Sequence, residues 1–511
     1  MLRSLVGSEM CIRDRAASAI ETLRAAYAQA GYGHGHRAGL LLENRPAFFL
    51  HWFALNALGV SVVPINPDLR AAELEYLTGH SEIALAVALP DRHADLLAAA
   101  ERAGRPLRVM APDDAPPAAP FAAPLAGEPG ELTECALLYT SGTTGRPKGC
   151  ILPNRYFLHA GGWYARIGGL AQLRPGEERM LTPLPLVHMN AMAYSAMAMV
   201  LTGGCLIPLD RFHPRTWWDS VRDSGATVLH YLGVMPAILM KAEPSAQDRQ
   251  PAIRFGFGAG VDRKLQQPFE ARFGFPLLEA WAMTETGAGA VIIANQEPRH
   301  IGESCFGAVQ VRIVADHGGE AEAGEPGELL VRHAGSDPRY GFFAGYLKDA
   351  DATDQAWEGG WFHTGDIVRR EADGALRFVD RKKNVIRRSG ENISAVEVES
   401  VLLQHPLVKA VAVAAVPDPV RGDEVLACVV AETAPADAAA RADAARGIVQ
   451  WSLQQLAYYK APGYVAFVDS LPLTTTNKIQ RGEMKTLAPT LPGTACCVDT
   501  TAMKKRQEPA R

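Results

Sequence analysis

No run of the 511-residue chain is both long and apolar enough to read as a membrane span. The most apolar stretch, NAMAYSAMAMVLTGGCLIPL (190–209), is broken by Asn190, Ser195 and the Gly203-Gly204 pair, so it reads as a buried helix followed by a strand. Excess positive charge is lacking too. The net charge is −5, which leaves no electrostatic reason to expect a nucleic-acid partner. The eight cysteines are scattered without zinc-type spacing, and the one close pair is Cys496-Cys497 near the end. Free thiols in a reducing, cytoplasmic setting are the reading that follows. The segment SLVGSEMCIRDR (4–15) lacks the apolar core of a targeting peptide. It resembles the in-frame translation of a sequencing-library adapter, so residues 1–15 are set outside the fold and natural sequence is taken to start near Ala16.

What remains is a soluble-type composition, 48 % apolar and 21 % charged, long enough for two or more domains with large cores. AGLLLE (38–43) reads as a buried strand. NRPAFFLHWFALNALG (44–59) reads as a helix capped by Asn44 and stopped at Gly59, and VSVVPI (60–65) as the next strand. AAELEYLTGHS and IALAVA repeat the unit. A Pro/Ala-rich linker (111–130) precedes the strand CALLYT. A helix at 214–224 pairs with strand ATVLHYL, and strand IRFGFGAG with a helix at 262–273. Such alternation predicts parallel sheets covered on both faces, with ligands at the carboxyl ends of the strands. From about residue 307, GAVQVRIV, GELLVR and GALRFVD are short strands between Gly, Pro and Asp turns, which predicts a small β-barrel region. After DRKK (380–383) a second unit begins, with helix SAVEVESVLLQH, strands VKAVAVAAV and EVLACVVAE, and a helix at 439–457. The expected architecture is α/β: a large N-terminal domain of doubly wound βα subdomains plus the barrel region (16–380), and a small mobile α+β C-terminal domain (381–487). Residues 488–511 carry no periodicity and read as a disordered tail.

The stretch LLYTSGTTGRPKGC (137–150) turns from an apolar run into glycines, hydroxyls and one lysine. Glycines free the backbone to aim N–H groups at an anion, and Ser or Thr hydroxyls add donors. The Walker pattern GxxxxGK[ST] fails here, because the second glycine, counted from Gly142, falls at Gly145 and Gly149 follows Lys148. Four further segments carry chemistry. EAWAMTETG (279–287) sets the hydroxyl of Thr284 beside the carboxylate of Glu285, suited to a phosphate and a magnesium ion; a helix N-cap pair is the plainer alternative. GGWFHTGD (359–366) presents Asp366, able to accept both hydroxyls of a ribose, or merely a turn aspartate. FVDRKKNVIRRSGENIS (378–394) crowds basic residues around a glycine, as a solvated basic face also does. LPLTTTNKIQRGEMK (471–485) puts Lys478 in a polar loop, where a lysine is usually only surface.

In this order and spacing the five segments resemble the adenylate-forming superfamily of acyl-CoA synthetases, adenylation domains and luciferases, from residue 38 to about 487. The resemblance implies that Thr140, Ser141, Gly142, Thr143, Thr144, Gly145 and Lys148 form a phosphate loop for the β and γ phosphates of ATP. It implies that Gly258, Ala259 and Gly260 line the adenine and acyl pocket and that Trp281 stacks on adenine. Thr284 would touch the α-phosphate, Glu285 would bind Mg2+, and Asp366 with Arg381 would hold the ribose. Lys383 falls at the hinge about which the small domain turns between half-reactions. Lys478 would bind carboxylate and α-phosphate oxygens during adenylation. His188, in PLVHMN, resembles the gate between ATP and thiol channels, and Ser389 and Gly390 fall where the small domain faces the pantetheine tunnel. Two departures stand out: Asn477 and Ala282 each replace a usual glycine, and the methyl of Ala282 narrows the acyl pocket.

The chemistry implied is a ligation. A carboxylate attacks the α-phosphorus of ATP, giving acyl-AMP and pyrophosphate; a thiol then displaces AMP. The closest resemblance is to the crotonobetaine/carnitine-CoA ligase branch, which points to a short or polar carboxylic acid with coenzyme A as co-substrate. The rivals are a stand-alone adenylation enzyme loading a carrier protein in trans and an inactive, truncated nucleotide-binding homologue. Oligomeric state stays open.

Overall fold

Apolar runs in the first half of the chain assemble into two sheets, because central strands such as Arg37–Leu41, Ser61–Pro64 and Leu85–Ala88 are buried on both faces and need helices on either side. The computed structural model describes residues 2–120, 123–140, 146–249, 252–261, 263–287, 292–295, 300–301, 309–315, 317–372, 374, 376–381, 385–472 and 479–505. Among the described residues the first sheet has seven strands. Glu134–Thr140, Ser61–Pro64, Arg37–Leu41, Leu85–Ala88 and Arg108–Met110 run parallel, in that spatial order. Lys148–Pro153 and then Gly345–Tyr346 add antiparallel at the Glu134–Thr140 edge. Thr140 and Lys148, which flank the glycine loop in sequence, stand opposite each other in this antiparallel pair.

Among the described residues the second sheet has eleven strands. One half is parallel: Cys205–Pro208, Arg179–Thr182, Val228–Leu232, Phe255–Ala259 and Leu277–Trp281. The other half is antiparallel and holds Val309–Val314, Pro326–His333, Phe362–Arg370 and Leu376–Arg381, the region expected as a small barrel. The third sheet builds the small domain around the antiparallel pair Val408–Asp418 and Gly422–Ala431, packed by helices Ala395–Leu402 and Ala438–Gln455. Among the described residues no helix is long and apolar enough to cross a membrane, and Cys135, Cys150, Cys205, Cys428, Cys496 and Cys497 are free thiols. Residues 190–209 fold as a π-helical turn, a short helix and a strand. The helix Leu2–Gln29 runs unbroken across the junction expected at Ala16, and the Arg13 guanidinium donates to the Gly203 carbonyl.

Two expectations need correction. Asn44 does not cap the helix Pro46–Asn56; Arg45 stands at the N-cap, without a side-chain bond. The Asn44 amide instead donates to the carbonyls of Leu184 (2.8 Å) and Leu209 (2.9 Å) and accepts from the Leu186 N–H (3.0 Å), which ties the two large sheets together. A buried amide is best satisfied where it can use both ends. The expected disordered tail is folded as far as it is described. Cys497–Asp499 pairs with Tyr464–Ala466 as an edge strand. Buried Thr500 donates to the Gly463 and Pro462 carbonyls, and Lys504 ion-pairs with Glu424 inside the small domain. The stretch is too short for periodicity to reveal it, and its partners are distant in sequence.

Glu424 also accepts from the Arg388 guanidinium at 2.8 Å. Burial and that guanidinium push the Lys504 ammonium down to about 7. Truncation after Thr494 removes the edge strand and opens the buried Arg388–Glu424 pair to water. It is expected to destabilise the protein by about 2 kcal/mol or more, seen as a clear fall in melting temperature; a dispensable tail would leave it unchanged.

Candidate active site

Of the expected site residues, Thr140, His188, Thr284, Ser389 and Gly390 line cavities between the large sheets and the small domain. The strand Glu134–Thr140 ends at Thr140, whose hydroxyl donates to Glu285 Oε1 at 3.4 Å. Glu285 sits in the turn after strand Leu277–Trp281 and is buried. Its Oε1 also accepts from the Tyr346 hydroxyl at 3.0 Å. Burial and then the Glu285 carboxylate hold the Tyr346 phenol above its usual range, which keeps it a donor. The backbone around Glu285 is anchored as well: the Phe343 N–H donates to the Glu285 carbonyl at 2.9 Å and the Tyr156 hydroxyl to the Thr284 carbonyl at 2.9 Å. Residues 284–286 form a turn that leads into a 3-10 helical residue at Gly287, so the helix-cap alternative stands beside the phosphate and magnesium reading. Lys148, opposite Thr140, pairs with Asp349 at 3.3 Å and lies over the Tyr346 ring at 4.8 Å.

Asp366 is 1 % exposed and lies inside strand Phe362–Arg370, which removes the reading as a turn aspartate. Its Oδ2 accepts from the Trp281 indole N–H at 2.8 Å, and its register partner on the neighbouring strand is Arg381. The two residues expected for ribose and the one expected for adenine are thus neighbours. Gly258 is dictated by strand spacing: a Cβ there would lie 2.1 Å from the Tyr231 carbonyl oxygen. Ala259 ends that strand, and Gly260 follows with φ +79°.

Two cavities open between the large and small domains. One, of about 370 Å³, is lined by Thr140, Arg146, His188 and Thr284 of the large domain and by Gly390 and Lys460 of the small one. The other, about 340 Å³, is lined by Leu186, Leu232 and Met235 together with Arg388, Ser389 and Tyr458. Gly258, Ala259, Gly260 and Trp281 are not among the lining residues of either. Gly390, at φ +90°, fits because it has no side chain; a Cβ would lie 2.2 Å from Leu232 Cδ1. Arg388 is buried, so this basic stretch is not simply a solvated face. Ser141, Gly142, Thr143, Thr144, Gly145, Lys383 and Lys478 lie outside the described residues, as does the Arg381 side chain.

His188 is positioned by the π-helical turn Asn190–Ala196, a distortion that often accompanies functional sites. That turn is held by His230, whose Nδ1 shares hydrogen bonds with Ser195 (2.7 Å) and Asn190 (3.0 Å), while burial pushes its imidazole down to about 3. His188 Nε2 reaches Glu391 Oε1 of the small domain at 3.2 Å. Burial lowers the His188 pKa, but Glu391 outweighs it and the net shift is upward. Sequence reasoning missed Glu391, Tyr346 and His230. Glu391 alone had a signal, since it directly follows Ser389-Gly390 in the segment already singled out.

The family models and relatives place this arrangement in the adenylate-forming class. Residues 14–347 match the family model described as "AMP-binding enzyme", and residues 397–478 that described as "AMP-binding enzyme C-terminal domain". The chain belongs to this family. It is 33 % identical over 478 residues to the sulfoacetate–CoA ligase of Cupriavidus necator, covering 90 % of this chain and 89 % of that protein. It is 30 % identical over 481 residues to the crotonobetaine/carnitine–CoA ligase of Shigella flexneri, covering 89 % of each. Among solved structures it resembles a malonyl-CoA ligase bound to methylmalonyl-CoA and AMP, with a TM-score of 0.71 and 28 % identity over 88 % of this chain and 93 % of that one.

Two outcomes follow from the geometry. Glu285→Gln keeps the shape and removes the charge, so the magnesium concentration needed for ATP use is expected to rise several-fold; an unchanged titration would make Glu285 purely structural. The His188–Glu391 pair ties the domains most strongly while His188 is protonated. Its folded pKa lies above the unfolded value near 6.5. The contribution is complete below that value and is lost as pH rises through the raised pKa. The thiol-transfer step should therefore weaken over that rise, and His188→Gln should flatten the profile.

Proposed function

We propose that this chain is an ATP-dependent acyl-CoA ligase for a short, polar carboxylic acid, working with Mg2+ in the cytosol. The observation that carries this reading is the 370 Å³ cavity walled jointly by Thr140, Thr284 and His188 of one domain and Gly390 of the other. Such a cavity lets phosphate-binding and thiol-delivering groups act on one acyl adenylate. In the first step a carboxylate oxygen of the acid attacks the α-phosphorus of ATP, and the bond to the pyrophosphate oxygen breaks. In the second the sulfur of CoA, its proton lost, attacks the acyl carbon, and AMP leaves with the bonding pair.

The chain's own groups have definable tasks. Thr140 and the loop Ser141–Gly145 donate to phosphate oxygens, Thr284 to the α-phosphate, and Lys148 and Lys478 offset the charge that gathers on the flanking oxygens. Glu285, one carboxylate beside the hydroxyls of Thr140 and Tyr346, is an all-oxygen set suited to a hard cation shared with substrate phosphates. Bound magnesium would neutralise charge on those phosphates. Asp366, oriented by Trp281, holds the ribose together with Arg381. Gly258 to Gly260 border the adenine and acyl groups, Lys383 is the hinge, and Ser389 and Gly390 border the pantetheine arm. The preference for a short acid is supported by the Ala282 methyl and by relatives named for sulfoacetate, crotonobetaine/carnitine and malonyl substrates.

Pyrophosphate release measured across a panel of carboxylic acids, with and without CoA, tests the reading. Short acids bearing a second polar group should give the highest kcat/KM, and thioester should form only with CoA present. Lys478→Ala should cut acyl-AMP formation by about 100-fold or more while sparing thioester formation from supplied acyl-AMP. An equal loss in both steps with folding intact would overturn the role of Lys478. Carrier-dependent turnover without CoA activity would overturn the acceptor.

A further inference from the structure

We propose that Glu73 is a positioning residue for the CoA step, which holds the small domain in its thiol-transfer orientation through a buried ion pair with Lys460. The proposal rests on the ligase reading above and adds a device that none of the motifs contains. Glu73 lies in the first turn of the helix Ala71–Ser81, on the large domain. Lys460 follows the helix Ala438–Gln455 of the small domain. The Lys460 ammonium donates to Glu73 Oε1 at 2.6 Å and to Glu397 Oε1, within its own domain, at 2.7 Å. All three side chains are at most 10 % exposed.

An ammonium removed from water needs compensating charge, and two carboxylates removed from water need a cation between them. Here that mutual need is met only while the domains stay in this arrangement. If the small domain rotates, Lys460 and Glu397 leave together as a neutral pair, and Glu73 returns to solvent on its own helix. The link is therefore separable from the fold of either domain.

Its location gives it a function. Glu73, Glu397 and Lys460 line the same cavity as Thr140, Thr284, His188 and Gly390. The adjoining Tyr459 hydroxyl accepts from Asn66 of the large domain at 3.4 Å. Glu73 itself is fixed, because its Oε2 accepts from the Arg70 N–H at 2.9 Å, so the carboxylate is presented to Lys460 at no further ordering cost. The arrangement it holds is the one in which Gly390 touches Leu232 and Glu391 reaches His188.

Glu73→Gln separates this role from stability, since an amide oxygen still accepts from Arg70 while the charge facing Lys460 is gone. Thioester formation from preformed acyl-AMP and CoA is expected to slow by about ten-fold or more, with acid-dependent ATP–pyrophosphate exchange within about two-fold of the parent. Hydrogen exchange should rise in segments 66–81 and 455–463 and stay unchanged in the small-domain strand Gly422–Ala431. Equal loss in both half-reactions, or no loss in either, overturns the proposal, and so does unchanged exchange in the two segments. Should Glu73→Gln fail to fold, Glu73→Asp, which keeps the charge but shortens the reach, carries the same comparison. The exchange measurement needs no turnover. If the parent proves inactive with every acid, increased exchange in the variant still supports the latch while the ligase reading falls.

Discussion

A buried carboxylate has to find hydrogen-bond donors, and Glu285 finds them on a different sheet from its own. It sits in the turn that follows a strand of the second sheet, while Thr140 and Tyr346, which donate to it, belong to the first. Sheet one cannot slide against sheet two without leaving that carboxylate unsatisfied. The hydrogen bonds of Phe343 and Tyr156 to the neighbouring backbone, and of Asn44 to Leu184, Leu186 and Leu209, pin the same seam. The site is built on this seam.

The small domain is attached by a different kind of contact. Its own apolar core is separate from that of the large domain. What joins the two around the cavities includes polar and ionic contacts: His188 with Glu391, Asn66 with Tyr459, and Glu73 with Lys460. Such contacts are strongly dependent on geometry and exchange readily for water when broken. A large apolar interface would make rotation costly, whereas a few charged ones permit it. A two-step reaction that reuses one acyl adenylate suits that kind of joint.

Much of this was legible in the chain itself. The βα alternation, the strand that leads to the glycine loop, the strand leading into Trp281 and the small-domain strands follow from local apolar patterning, which acts within a few residues. Asn44 shows where such reasoning stops. A side-chain amide before a helix suits a cap, yet here better partners lie about 140 residues away at Leu184 and Leu186. Cys497–Asp499 and Lys504 illustrate the same limit: a three-residue edge strand and one lysine have no pattern, and what orders them is Glu424 and the strand Tyr464–Phe467.

By its sequence alone the protein determined its family, its domain order and the chemical types at the site, because glycines, hydroxyls and carboxylates in fixed order are local properties of the chain. Only the tertiary structure decided who stands beside whom. It set Thr140 and Tyr346 around Glu285, bound Asp366 to Trp281 and brought Lys460 between Glu73 and Glu397. Buried polar groups must be satisfied by whatever the packed chain brings within reach, and that reach is measured in ångströms, not in residues.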